Sequence, residues 1–321
     1  MGKRIAVQLF GHMRTFKHAA QTLFKNAIEP NIADGYTVDI FIHTWDESDH
    51  NTISWRNSGN KAVVSGTQVQ DIINTYKPVN INITPQVDVP ECIINEKLGY
   101  SRSIRGPVNM SFSLQQSSKL RQKAKRKYDW VIVTRPDILF MKPFRIDDFL
   151  APYNIFNMDI PDSTIFYASN PYRAGVKVSD PHFIAAADCI WFARPKDVDI
   201  ATSLYDNFND NIDVNNFYCM EHWFFSWLHK CGLITMPLKY HYNQDWVILY
   251  PKDVAVIDQF LFPDGHKYTI CGLCLFKTKT VDNKKKFYVF GRFPILVIKK
   301  KPDMWIYRIF GLIPVWFQRK K

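Results

Sequence analysis

The stretch Tyr128-Asp129-Trp130-Val131-Ile132-Val133-Thr134-Arg135-Pro136-Asp137-Ile138-Leu139-Phe140-Met141-Lys142-Pro143-Phe144 decides how the rest of the chain is read. Residues 130–134 are a short, almost wholly apolar, β-branched run, the composition of a strand buried on both faces. The run stops at Arg135-Pro136-Asp137. Pro136 cannot donate to a ladder, and it pushes the preceding arginine toward an extended or turn conformation. A hidden strand therefore delivers a cation and a carboxylate to its C-terminal end, the edge where open α/β sheets take their ligands. A salt-bridged strand end and an anion or metal site both account for such a pair, and the remaining chain has to decide between them.

Working outward, the same pattern recurs. Residues 4–10 read as a buried strand, Gly11-His12-Met13-Arg14-Thr15 as a tight turn, and 16–28 as a helix with Phe16, Ala19, Ala20, Leu23, Phe24 and Ala27 at helical spacing. A strand, a glycine turn and a helix in this order open many nucleotide-binding folds, although Gly11 alone is no GxGxxG fingerprint. Arg14 is placed to meet a phosphate, or simply to face solvent. Residues 38–44 predict a second strand running into Trp45 and Asp46, where a ring could stack on a base and a carboxylate hold a ribose; a Trp closing the core fits equally well. A polar loop over 47–66, a helix over 69–76 and a strand over 79–84 follow. Residues 99–107 look loop-like, and 109–127 predict a long helix with polar Asn109, Ser111 and Ser113 at its start and basic residues at its end, complementing the helix dipole. Residues 184–193 predict a buried strand interrupted by Asp188, and a carboxylate inside an apolar run needs a partner or a task. Helices over 196–208 and 217–231, the latter carrying Glu221, and a strand over 233–240 running on to His241 complete the pattern.

Composition bounds the answer. A chain of 321 residues with 24 Phe, 15 Tyr and 9 Trp has ample material for one large core or one and a half domains. Six cysteines in this length are no disulfide framework, and Cys271 and Cys274 lack the second pair of a zinc knuckle. The thiols are read as reduced and the protein as cytosolic, leaving the sequons at Asn82 and Asn109 idle. Lys3 and Arg4 precede only about six apolar residues, so no signal peptide is expected. No apolar run is long enough to span a bilayer as a helix. The net charge of +11 is concentrated: residues 284–321 hold eleven Lys or Arg and one acid, Asp303. A near-neutral body excludes a general nucleic-acid binder, whose binding face must carry cations for phosphate. It fits a globule with an attached surface anchor.

Four features in order carry a resemblance: the strand end Arg135-Pro136-Asp137, the helix opening Asn109-Met110-Ser111-Phe112-Ser113-Leu114-Gln115-Gln116-Ser117, the strand holding Asp188, and the helix holding Glu221. Over residues 3–245 the chain resembles bacterial GT-A-type glycosyltransferases of surface-polysaccharide assembly (lipopolysaccharide, O-antigen or capsule). The resemblance implies an α/β, GT-A-like (Rossmann-related) fold: a mixed, mostly parallel sheet flanked by helices over residues 1–250, with a basic aromatic C-terminal extension over 251–321. It implies a nucleotide-sugar donor contacted by Gly11, Arg14, Asp46, Asn109, Ser113, Arg135 and Asp137, a lipid-linked or oligosaccharide acceptor, Glu221 as base and Asp188 on sugar hydroxyls. In that family an Asp-x-Asp motif holds a divalent metal; here the first acid is Arg135. Either Asp137 holds Mg²⁺ or Mn²⁺ with water and His241, or Arg135 neutralises the diphosphate itself. No organic cofactor is implied.

The extension alternates cation clusters with Trp305, Tyr307, Phe310, Trp316 and Phe317, as a segment lying on an anionic membrane would. A packed element with a solvated basic face fits as well. Such an anchor suits a peripheral protein on the inner face of the cytoplasmic membrane acting on a lipid-linked acceptor. A sulfo- or phosphotransferase on the same sheet is the rival enzyme class, and His12-Met13-Arg14-Thr15 is a poor phosphate loop for it. A basic membrane-surface binding module is the rival without catalysis.

Overall fold

In the computed structural model the described residues are 2–49, 63–89, 93–95, 100–102, 104–169, 186–208 and 220–254, together with six strands between 267 and 319. The chain divides into two compact units, Met1–Pro251 and Lys252–Lys321.

The first unit is α/β, with helices on both faces of a seven-stranded, mostly parallel mixed sheet. Its strands are β1 (Arg4–Phe10), β2 (Thr37–Trp45), β3 (Asn80–Thr84), β6 (Trp130–Thr134), β8 (Thr164–Ser169), β9 (Ala186–Ala193) and β10 (Ile234–His241), in the spatial order β10-β8-β9-β6-β1-β2-β3. Only β9 runs against its neighbours β6 and β8; the pairs β1–β2, β2–β3, β1–β6 and β8–β10 are parallel. Two short pairs lie outside this sheet, β4 (Ile93–Asn95) with β5 (Tyr100–Arg102), and β7 (Ile138–Phe140) with β11 (Trp246–Ile248).

Alternation along the strands builds two cores. Ile5, Val7 and Leu9 join Ile132, Phe140, Phe144 and Trp246 on one face. Ala6, Phe10, Val131 and Val133 join Leu114, Trp191, Phe224 and Leu228 on the other. A sheet covered on both sides needs apolar residues at both parities, which is why these strands read as continuous apolar runs. Helices α1 (Phe16–Leu23), α2 (Glu29–Ala33), α3 (Gly66–Tyr76) and α5 (Ile146–Ile155), and helices α4 (Arg105–Lys123), α6 (Pro195–Thr202) and α7 (Met220–Lys230), supply the covering residues.

Several boundaries differ from the sequence expectation, for local reasons. Helix α1 passes through a π-helical turn, Phe24–Ile28, before α2. Helix α4 starts four residues earlier than expected, at Arg105, because Pro107 is tolerated in a first turn whose N–H groups have no intrahelical partner. It ends at Lys123, and Lys125 takes a positive φ of 52°, so the basic run beyond it lies outside the helix. Arg121, in the last turn, is buried rather than solvated. Its Nε donates to Gln8 Oε1 at 2.7 Å and its guanidinium pairs with Asp199. Gln8 Nε2 in turn donates to the hydroxyls of Ser117 and Ser118 at 3.2 and 3.0 Å. This polar network pins the centre of β1 to α4 and α6, and each partner left unsatisfied there would cost about 1–3 kcal/mol. The helix expected over 196–208 begins at Pro195 and tightens into a 3-10 turn, Ser203–Asn207.

The second unit is an antiparallel meander of β12 (Lys267–Ile270), β13 (Leu273–Val281), β14 (Lys284–Val289), β15 (Phe293–Lys300), β16 (Met304–Ile309) and β17 (Ile313–Arg319), each paired with the next. The segment read from sequence as an interfacial anchor lies within the β16–β17 hairpin. Among the described residues no helix is long and apolar enough to cross a membrane.

Candidate functional site

The chain leaves β1 for β2 on one side and returns as β6 on the other. The order of the sheet therefore reverses between β1 and β6, and the crevice above their C-terminal ends is the place where open sheets bind ligands. Arg14 follows β1 through the turn at Gly11, whose φ of +96° suits a residue without Cβ. Arg135 and Asp137 follow β6 directly.

These three side chains meet. Asp137 is 1% exposed. Its Oδ1 accepts from Arg135 Nε at 2.9 Å, and its Oδ2 accepts from Arg135 Nη2 at 2.6 Å and from Arg14 Nε at 3.0 Å. Arg14 Nη2 stands 2.8 Å from the same Oδ2, and Arg14 Nη1 donates to Asp49 Oδ1 at 3.3 Å. Burial alone would raise the Asp137 carboxyl, but the charges and hydrogen bonds of the two arginines outweigh it and hold it below the usual carboxylate range. The segment after β11 closes one side: Leu249 N donates to the Asp137 carbonyl at 2.8 Å, Thr15 Oγ1 donates to the Leu249 carbonyl at 3.0 Å, and the Arg14 guanidinium lies 5.6 Å from the Tyr250 ring centre.

The cluster continues along β9. Arg135 Nη1 reaches Cys189 Sγ at 3.8 Å, and the Cys189 thiol donates to Asp188 Oδ1 at 3.0 Å. Burial, and then the charge of Glu221 in the first turn of α7, raise the Asp188 carboxyl to about 7, against the opposing pull of Cys189 and Arg135. A buried carboxyl raised in this way near a second carboxylate is a common arrangement for acid–base work.

Other expected contacts belong to the scaffold instead. Asn109 is buried and clamps the Val87 backbone, accepting from its N–H at 2.7 Å and donating to its carbonyl at 3.2 Å. Ser113 is fully buried: it accepts from the Gly11 N–H at 2.9 Å and lies 2.8 Å from His43 Nδ1. Burial holds His43 neutral, its pKa pushed down to about 3. The neutral ring thus pairs with Ser113 Oγ through Nδ1 and with Thr84 Oγ1 through Nε2, the latter at 3.1 Å. Of the two residues expected to contact the donor, Asn109 thus spends its amide on the segment after β3 and Ser113 its hydroxyl on the turn after β1. Trp45 is 2% exposed and stacks on Phe112 at 5.8 Å, so it serves the core rather than a base. Asp46, at the end of β2, is half-buried.

The residues do not fit a divalent ion on Asp137 and His241. Both Asp137 oxygens are occupied by guanidinium N–H groups, and a cation there would sit against two like charges. His241 Nδ1 is engaged with Ser169 Oγ at 2.6 Å, a contact that bears on that nitrogen alone, so the misfit rests on the Asp137 oxygens. Among the described residues no group of three His, Cys, Asp or Glu converges as a metal site.

Sequence reasoning missed Asp49, Cys189 and Tyr250. Asp49 lies in a polar stretch with no local signal, and Cys189 was visible only as the neighbour of Asp188. A cavity of 360 Å³ lies against Arg14, between the β1–α1 turn and the start of α3, and is lined also by Lys17, His18, Ser65, Thr67 and Gln68. Fold and site together define an α/β protein whose mostly parallel mixed sheet is compatible with a Rossmann-like architecture, with a buried ionic cluster at the sheet's switch point. No protein-family model matches the chain, and no curated protein matches it.

Proposed function

We propose that this chain is a GT-A-like glycosyltransferase that moves a sugar from a nucleotide-sugar donor to a lipid-linked or lipopolysaccharide/capsule glycan acceptor. The observation that carries the reading is the meeting of Arg14, Asp137 and Arg135 at the switch point, beside the Asp188–Glu221 carboxylates. Glycosyl transfer breaks the bond from the anomeric carbon to a diphosphate, whose oxygen gains negative charge; guanidinium groups fixed beside it lower that barrier. The acceptor hydroxyl gives up its proton as it attacks, and Glu221 takes it. Asp188 holds sugar hydroxyls next to that base. The cavity against Arg14 is within the size range of small-ligand sites.

A thermal-shift panel of nucleotide sugars and nucleoside diphosphates tests the donor. One nucleotide series is expected to raise the melting temperature of the chain, by the mass-action stabilisation any native-state ligand produces. A flat response across the whole panel would remove the reading.

The acceptor reading adds the basic extension: eleven Lys or Arg across residues 284–321 favour a peripheral place on the anionic inner face of the cytoplasmic membrane, each cation near the surface contributing about 1 kcal/mol. Binding to anionic vesicles is expected to weaken steeply with salt and to vanish on neutral vesicles. Equal binding to both lipid compositions would sink it.

A further inference from the structure

We infer that the diphosphate of the donor is held without a divalent cation, by the paired guanidinium groups of Arg14 and Arg135. The inference rests on the donor reading above and specifies how that donor is bound.

The argument begins with the direction in which the ion cluster faces. The Asp137 side chain is 1% exposed, that of Arg14 8% and that of Arg135 20%. The carboxylate therefore belongs to the most buried of the three side chains, and the least buried is that of Arg135. A ligand arriving above β6 meets a cation first, although the charges of Arg14, Arg135, Asp49 and Asp137 cancel formally.

Asp137 acts as a positioning residue. It takes both Nε and Nη2 of Arg135 in a two-point contact and both Nε and Nη2 of Arg14 on one oxygen. That fixes the planes of the two guanidiniums without using all their hydrogens. Among the described residues Arg135 Nη1 makes only the 3.8 Å contact to Cys189 Sγ, and each Nη2 carries a second N–H. Planar groups held this way offer forked N–H pairs to phosphate oxygens, with no loss of side-chain freedom on binding.

The same contacts leave no place for a metal. A hard divalent ion needs oxygen lone pairs within about 2.0–2.6 Å. On Asp137 those lone pairs already point at N–H groups, and the ion would stand between two arginines. Asp49 is committed to Arg14, and Asp188 accepts from the Cys189 thiol and faces Glu221. The charge compensation is built into the chain.

The test is isothermal titration of the full chain with nucleoside 5′-diphosphates and inorganic pyrophosphate, once in EDTA and once with Mn²⁺. The tightest probe is expected to be the same in both buffers, its affinity changing by less than about threefold. Arg135→Lys keeps the charge but loses the fork, and is expected to bind at least about tenfold more weakly, a loss Mn²⁺ does not restore. Binding seen only with Mn²⁺, or strengthened by it about tenfold or more, overturns the inference and leaves the donor reading standing. No binding of any probe in either buffer removes both.

Discussion

Replacing Asp137 by alanine is expected to destabilise the chain by about 3–5 kcal/mol, because it strands two charged side chains that are mostly out of water. Arg14 and Arg135 are 8% and 20% exposed, and Asp137 supplies both of the short contacts of each. Arg14 would retain Asp49 at 3.3 Å, while Arg135 would retain the Cys189 sulfur and the more distant charge of Asp188. Urea unfolding monitored by circular dichroism measures the loss; a change below about 1 kcal/mol would show that the cluster carries no such strain. The sign with pH follows from the lowered Asp137 carboxyl. Its contribution is fully present above the unfolded value of 3.8 and is lost as pH falls through the depressed folded value, so the wild-type advantage over Asp137→Ala shrinks in acid. Replacing Arg14, Asp49, Arg135 and Asp137 together by apolar residues of similar volume is expected to recover much of the stability while abolishing ligand binding, since breaking a buried ion pair costs more than never building it.

The second large effect concerns the carboxylate pair. Glu221→Gln is expected to lower kcat by about 10²–10⁴ with the substrate pair found by screening, the range lost when a positioned base is removed. Asp188→Asn is expected to lower activity and also to change the pH response of stability in the opposite sense to Asp137. A carboxyl raised from 3.8 to about 7 by burial and by Glu221 favours the protonated form in the folded state. Its cost to stability is absent below the unfolded value, grows as pH rises from about 4 to 7 and is complete above that, reaching at most about 4 kcal/mol. Asp188→Asn therefore unfolds at higher denaturant than wild type at pH 8 and at nearly the same denaturant at pH 4. Near-wild-type rates for both variants would remove the catalytic assignment, and a stability difference independent of pH would remove the electrostatic one.

The two kinds of residue were not equally legible. Strands β1, β2 and β6 are apolar at both parities, and that alone announces a sheet covered on both faces. Arg135 and Asp137 follow β6 immediately, so the register of the strand already places them at its edge. Asn109 and Ser113 misled for the opposite reason: polar residues at the start of a helix look the same whether they face a ligand or clamp a neighbouring loop, and only burial separates the two.

By itself, then, the order of residues determined the covered sheet, the arrival of a cation and a carboxylate at the end of a hidden strand, and a buried acid at Asp188. These are consequences of local periodicity and of the cost of leaving apolar side chains in water. Tertiary structure alone decided that Arg14, 123 residues from Asp137 in the chain, lies 2.8 Å from it, and that the carboxylate is spent on two arginines rather than left open for a metal. Contacts between distant segments depend on strand order, and strand order depends on how whole faces pack, which no single stretch of sequence encodes.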